Sequence, residues 1–589
     1  MVFTPEDSGT PAAPVIYRAH KHEKPVISGG VRLSGWKVDK RGAWTTRIPR
    51  AKRGDWTFSQ LFVNGERRFR PRLPATGYYT VAEELPPANP SEAPIGPKGA
   101  DRFVFNFGEF SSDWKNTGEV EVVALHIWSA SRLRVKAVDE TNRVVSFTGP
   151  TYDPTWLPLK QGIRYSIENV AEALENPGEW YLDRATGTLT YIPRPGETPD
   201  SAEVIAPCLY RIVELRGDEV DHRLVEHITF QGITFAHSNY TVGPRGQSIG
   251  QAECILGGAI RGVGAFACTL EGCAVTHVGS YAIEWGDGCR GNRVENCHLS
   301  DLGAGGVKIG RQQLYGYDAD EAASHNAVVG CRIEHGGRIH PGGVGILILS
   351  SPHNTIEGNE VFDFYYTGIS VGLWGGRSYP ATWAHHNTIS GNHVHRIGQG
   401  VLSDMAGIYT MGSAPGTTVS GNLVHDVSGH DYGGIGIYID EGGVGITVAN
   451  NICYDTSSQS FLQNYGRENT IRNNIFVLGG NGGVAVNSIV DGKAFVFERN
   501  IVVVDGQPVF SGALTDERGR KGLDSDNNLF WDLAGREPTF GNGSWAQWKE
   551  QGQDTHSILA DPMFVDLKKR DFRLRPGSPS EKIGMNTNR

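Results

Sequence analysis

The chain has 589 residues, of which 77 are Gly and 30 are Pro, and it carries a net charge of −10. That length calls for several cores or one extended core, and so turn-rich a composition excludes an architecture of long helices. The acidic balance excludes a nucleic-acid partner held through phosphates, and no apolar run is long enough to span a bilayer, so no membrane partner is expected.

The first residues, MVFTPEDSGTPAAP, lack the charged-then-apolar pattern of a signal peptide. This places the protein in the cytoplasm, or makes it a secreted protein whose signal has been removed. Within residues 1–33, APVIYRA and KPVISGG read as the first strands of a solenoid. Residues 34–200 have a different texture. They carry Trp-rich alternating segments such as GAWTTRIP, QLFVNGERR, DRFVFNF and EVEVVALHIW. GEWYLDRATGTLTYIP reads as a hairpin that turns between Asp183 and Gly187. These features predict an antiparallel β-sandwich-like domain inserted after the first solenoid strands.

Residues 201–589 are read as a solenoid built by one phrase that recurs from about residue 225 onward. It reads HNTIEGNEV from His353, HNTISGNHV from His386, TTVSGNLV from Thr417, ITVANNIC from Ile446 and NTIRNNIF from Asn469. The framed Asn residues are Asn359, Asn392, Asn422, Asn451, Asn474 and Asn500, spaced 33, 30, 29, 23 and 26 residues apart. A late copy supplies Asn528, and earlier copies place Cys273, Cys297 and Cys331 in the same slot. A fixed frame with variable spacing is the signature of stacked coils whose insertions fall in loops. The segments alternate with period two and are rich in Ile, Val and Phe, so they are strands. The chain is therefore predicted to be all-β, a right-handed parallel β-helix with an inserted domain. Parallel stacking repeats each slot about every 4.8 Å, so the Asn residues should form an inward ladder. The eight Cys show no paired CxxC spacing, so no zinc site is expected, and stacked buried thiols lean towards a reducing compartment. At the C-terminal end, ADPMFVDLKKRDFRLRPGSPS reads as a terminal coil.

Acidic residues occur throughout, so a lone Asp means little. Residues 403–443 stand out. SDMAGIYTMG holds Asp404, and GGIGIYIDEGG holds Asp440 and Glu441. The two GIY phrases lie 29 residues apart, about one coil. Ile408 and Ile437 should stack inside, and Tyr409 and Tyr438 outside. Asp440 shares the outward parity of Tyr438. Asp404 reaches the same face only if the chain bends before its strand. Paired carboxylates suit glycoside hydrolysis, in which one protonates the leaving oxygen and the other attacks the anomeric carbon or activates water. Neighbouring like charges raise one carboxyl pKa and keep an acid protonated near neutrality. The bland reading makes these acids turn caps or partners of Arg.

Tyr409, Tyr438, Trp374 and Tyr432 are candidate sugar platforms, or covers for the solenoid. His425, Gln463 and Asn464 are candidate polar contacts to substrate, or ordinary turn groups. His385 and His386 lack a clear third ligand, so no metal is assigned. No cofactor is called for, although a structural calcium is compatible with the sequence. The expected partner is an oligosaccharide, and a homo-oligomer is compatible with the chain.

Several of these phrases carry a resemblance. EDSGT, PGEWYLD, TGISVG, SDMAGIYT, GIYIDEG and YGRENTIRNNIF look like the right-handed β-helix glycosidases. That group includes the family 120 β-xylosidases and the family 141 enzymes acting on fucosides or xylan. The resemblance covers nearly the whole chain. It implies a cleft on the β-helix walled by the insert, and a pair of acids that is retaining in the xylosidase branch. Asp404 of SDMAGIYT resembles the nucleophile position, and Glu441 or Asp440 of IDEGG resembles the acid/base position. GLWGG lacks the second Trp of a GWxWG-like phrase, and relatives usually have strands before EDSGT.

The leading expectation is an exo-acting, retaining hydrolase of a plant-type glycan, with a β-xyloside first and an α-L-fucoside second. A polysaccharide lyase or uronate epimerase on the same fold is the alternative. It needs positive charge or a metal beside a uronate, and residues 403–443 contain no Lys or Arg. A non-catalytic glycan-binding solenoid is the third reading, and it has no need for three acids on one face.

Overall fold

The computed structural model describes residues 1–88, 99–153, 155–218, 222–312, 321–372 and 382–585. Each recurrence of the phrase makes one coil of short strands. Around Asp404 the chain runs through Ala406–Met411, Thr418–Ser420 and Leu423–Val427, and Ile435–Asp440 opens the next coil. Stacking builds a front, a side and a back sheet, all parallel, with 12, 12 and 13 strands among the described residues. Like residues meet in register: Ile408 on Ile437, Thr418 on Thr447 and Val424 on Cys453. Period two turns Ile408, Val419, Val424 and Ile437 inward, where they are fully buried in one core extending from Phe3 to Trp548. The fold is a right-handed parallel β-helix.

The framed Asn residues sit at the turn from side to back sheet. The backbone N and Nδ2 of Asn392 donate to Oδ1 of Asn422 at 2.9 and 3.0 Å. The same paired bonds link Asn359 to Asn392 and run on through Asn422, Asn451, Asn474, Asn500 and Asn528. In the earlier coils Cys273, Cys297 and Cys331 fill the slot, each thiol donating to a backbone carbonyl. A second ladder, not anticipated from the frame, links Asn292, Asn326, Asn354 and Asn387 at the turn into the side sheet and ends on the Thr417 hydroxyl. Its signal lies in the same phrases, in the Asn of HNAVV, HNTIE and HNTIS. Replacing Asn422 by Leu takes the acceptor from the Asn392 backbone N–H and from one Nδ2 hydrogen, the other still donating to the Ile356 carbonyl, in a dry turn. This is expected to cost about 3 kcal/mol, read as a lower unfolding midpoint in calorimetry with the far-ultraviolet β signal intact.

Val2–Phe3, Val15–Arg18 and Val26–Ser28 pair with the front, side and back sheets. The chain then leaves the helix at Gly30–Leu33 and returns along its antiparallel partner Val204–Pro207. Between these strands it packs around two cores. One gathers Trp44, Leu61, Trp180, Leu189, Tyr191 and Val204, and includes the hairpin in which Trp180 faces Tyr191. The other gathers Phe103, Val122, Leu133, Tyr165 and Ile167. This second body docks on the helix through Arg132. Its guanidinium donates to the Ile339 carbonyl at 2.9 Å and is buried with Arg70 against Glu121 and Glu168. A charge buried in this way holds only when fully paired.

The C-terminal phrase is not a further coil. Phe564–Asp566 and Asp571–Leu574 form an antiparallel hairpin. The turn Leu567–Lys569 and the left-handed Arg570, at φ 59°, reverse the chain there. Phe572 packs on Tyr454 with ring centroids 5.0 Å apart, and Arg570 bridges to Asp455 through two bonds of 2.8 Å.

Candidate active site

The acids converge on the outer face of the front sheet. Ala406–Met411 and Ile435–Asp440 pair in register, with Tyr409 on Tyr438 and Met411 on Asp440. With Ile408 and Ile437 turned inward, period two sends Tyr409, Tyr438 and Asp440 to the outer face. The two Tyr rings meet edge to face with centroids 5.1 Å apart. Asp440 is only 4 % exposed. Its Oδ2 accepts from the Tyr409 hydroxyl at 2.5 Å, and its Oδ1 accepts from Asn464 Nδ2 at 2.9 Å. The Tyr438 hydroxyl and the Glu441 backbone amide add to these donors.

Asp404 comes from the loop between back and front sheets. Its φ of 50° supplies the bend that its role requires. Its backbone N donates to the Tyr432 carbonyl at 3.1 Å. Gly433 lies so close that a Cβ there would fall 2.6 Å from the Asp404 nitrogen. Bent in this way, the Asp404 carboxyl accepts from the Tyr432 and Tyr438 hydroxyls. Tyr438 is therefore within reach of both carboxyls.

Burial, and then the charges of Asp440 and Glu441, push the Asp404 carboxyl up to about 7. Burial also raises Asp440, but the donors around it oppose that rise. Both carboxyls are therefore raised and titrate as one coupled pair, with more donors opposing the rise at Asp440 than at Asp404. Glu441 stands half-buried beside Asp440, and its carbonyl accepts from the Gly412 amide at 3.1 Å. Because its charge helps raise Asp404, Glu441→Gln is expected to move the alkaline limb of a pH–rate profile down by a few tenths to about one unit. An unmoved limb would remove Glu441 from this electrostatic role.

Tyr432 is 48 % exposed, so its ring faces solvent while its hydroxyl meets the Asp404 carboxyl. Asn464 follows Asp440 on the outer face of the next coil. Gln463, its neighbour, has the opposite parity. It pairs with the inward Ile439, is fully buried, donates to the Gly466 carbonyl at 2.9 Å and accepts from Asn469 Nδ2 at 2.9 Å. It stabilises a turn and does not face the cleft. His425 lies on the back sheet, stacked between His395 and Tyr454, and is not part of the acid cluster. Trp374 lies outside the described residues.

Four contributors were not anticipated. Gln251 approaches the Tyr409 hydroxyl at 3.3 Å and the Tyr366 hydroxyl at 3.5 Å. From the insert, the Ile127 carbonyl accepts from Ser403 N at 2.7 Å, beside the loop that carries Asp404. The next residue, Trp128, donates from its indole to the Gly250 carbonyl at 2.7 Å and packs on the exposed Trp156. Arg164, also from the insert, donates to the Val401 carbonyl at 2.5 Å. The second insert body thus walls the loop that carries Asp404.

The family model described as "Right handed beta helix region" matches residues 258–429 and 386–522. Among solved structures, one described as "Glycoside hydrolase" is similar at 25% identity and a TM-score of 0.68, covering 80% of this chain and 86% of its own. XylC with xylose is similar at 11% identity and a TM-score of 0.39, covering 95% and 79%. The periplasmic alginate epimerase AlgG is similar at 12% identity and a TM-score of 0.36, covering 59% and 76%. The last two are too distant to bear on chemistry. No curated protein matches in sequence. The chain is similar to a glycoside hydrolase over most of its length.

Proposed function

We propose that the protein is an exo-acting, retaining glycoside hydrolase that removes a terminal sugar from a plant-type oligosaccharide. The observation that carries this reading is the Tyr438 hydroxyl between two buried carboxyls, one of them raised to about 7 and the other rich in donors. Such a pair supplies a protonated acid and an anion in one site. The two carboxyls are close enough to titrate as a coupled pair, and the shorter of the two glycosidase spacings, about 5–5.5 Å, is the one that goes with retention.

In this reading Asp440 attacks the anomeric carbon while Asp404 protonates the departing glycosidic oxygen. Asp404 then takes a proton from the water that releases the sugar. The resemblance implies the opposite assignment, with Asp404 as nucleophile. The donors favour Asp440 as the nucleophile and Asp404 as the acid, because Tyr409, Asn464 and the Glu441 amide stabilise charge on Asp440 alone, Tyr432 alone serves Asp404, and Tyr438 is shared. Docking of the insert beside the Asp404 loop supports exo action, since a walled cleft admits only a chain end.

The test is hydrolysis of a nitrophenyl glycoside panel, with the β-xyloside first and the α-L-fucoside second, followed by the anomer of the first-formed sugar in proton NMR. Hydrolysis of one glycoside with retained configuration supports the proposal. An inverted product removes the retaining mechanism. No hydrolysis of the panel or of natural oligosaccharides, with an unsaturated uronate released from polyuronate instead, removes the hydrolase reading.

A further inference from the structure

The back sheet carries a second constellation that the acid cluster does not use. His393 and His395 alternate on one strand, so both point outward. Parallel stacking sets Glu360 against His393 from the coil before, and His425 against His395 from the coil after. We propose that His393, His395 and His425, with Glu360, form a binding site for one borderline divalent transition ion of the zinc class.

One ligand atom from each of the three His lies within 4.8 Å of the others. Nε2 of His393 and Nε2 of His425 face each other at 2.8 Å, and Nε2 of His395 lies 3.3 Å from Glu360 Oε1. Three imidazole nitrogens leave one tetrahedral position, which falls to Glu360 Oε1, whose partner oxygen is paired with Arg332, or to water. Zinc–nitrogen bonds of about 2.0–2.1 Å need the two nitrogens about 3.4 Å apart, which a small ring rotation provides. Asp426 supplies an independent sign. Its Oδ2 lies 2.8 Å from His425 Nδ1, which fixes the proton on that nitrogen and leaves the Nε2 lone pair facing His393 Nε2. A carboxylate behind a histidine in this way is the outer partner found at metal-ligating histidines. Imidazole-rich donors select against calcium and magnesium.

The simpler account is an outward aromatic stack, because Phe362, His395, His425 and Tyr454 follow one another at 4.8, 5.1 and 4.6 Å. Stacking alone needs flat rings. Without an ion, His393 Nε2–H donates to His425 Nε2, and His425 Nδ1–H to Asp426; a bound ion would take the place of the proton between His393 and His425. The consequence for the fold is specific. The strand of His393 and His395 runs into the loop that holds Asp404, and the strand of His425 runs into the loop that holds Tyr432. An ion at this place would pin together the two coils that feed the acid cluster.

The experiment is calorimetric titration of zinc chloride into chelator-stripped protein, with cobalt absorption in the visible as a second readout. His353, His385 and His386 form another, more exposed imidazole group, so His386→Gln serves as the control. Wild type and His386→Gln are expected to share one tight equivalent and to gain thermal midpoint with zinc, with no response to calcium or magnesium. His395→Gln and His425→Gln should each lose that equivalent. Asp426→Asn, which leaves the stack intact, should weaken it about 10–100-fold. No tight equivalent in wild type would overturn the proposal. So would its persistence in His395→Gln and in Asp426→Asn, or its loss in His386→Gln alone.

Discussion

Asp440→Asn is expected to lower kcat/KM on the best glycoside about 10⁴-fold, equivalent to about 5 kcal/mol of barrier. An amide cannot attack the anomeric carbon, and the Tyr409 and Asn464 donors then face a group that develops no negative charge. Loss of fold does not account for such a fall. The Asp440 carboxyl is raised in the native protein, so it destabilises the fold as pH rises past its unfolded value, and its removal relieves that cost. The variant should therefore melt at or above the wild-type temperature at neutral pH. Asp440→Gly with added azide separates nucleophile from general base. A glycosyl azide of inverted configuration identifies the vacancy as the nucleophile's place. Retention of more than about a tenth of wild-type activity by Asp440→Asn would remove this residue from the mechanism.

The parts of the site that could be read in the sequence are those that obey the coil repeat. Tyr409, Tyr438 and Asp440 follow from the spacing of the two GIY phrases, because one coil of separation and period two leave a single outward column. The same rule assigns Gln463. Phe461 stacks on Ile437 inside, so Gln463 two residues later is inside as well, and only Asn464 can meet Asp440. His425 fails for a different reason. Its strand follows a framed Asn and so belongs to the back sheet, but which wall bears the cleft is decided by where the insert docks. That docking rests on contacts such as Ile127 with Ser403 and Arg132 with Ile339, which join segments distant in sequence and leave no periodic trace. The Asp404 bend is likewise a single left-handed residue that no pattern announces. The stacked His of the back sheet sit in repeat register, yet neither HVH nor VHD has ligand spacing by itself. Only the coil step brings the two phrases together.

Asp404 should leave its mark on pH dependence. A carboxyl raised to about 7 contributes stability that is complete below its unfolded value near 4 and is lost as pH rises through 7. Its catalytic proton is lost over the same range. With a poor leaving group, kcat/KM should therefore fall about tenfold per unit above pH 7, and Asp404→Asn should lower the plateau about 10²–10⁴-fold and flatten that alkaline limb. A dinitrophenyl glycoside needs little protonation to depart. The first step of Asp404→Asn on that substrate, read as a pre-steady-state burst, should stay within about tenfold of wild type. The contrast between substrates decides between the two assignments. If the activated substrate suffers as much as the poor one and the alkaline limb survives, Asp404 is the nucleophile that the resemblance implies. The proton then belongs to Asp440 or Glu441. If only the poor substrate suffers, the donors around Asp440 have set the roles, since the acid that meets more hydrogen-bond donors is the one left charged.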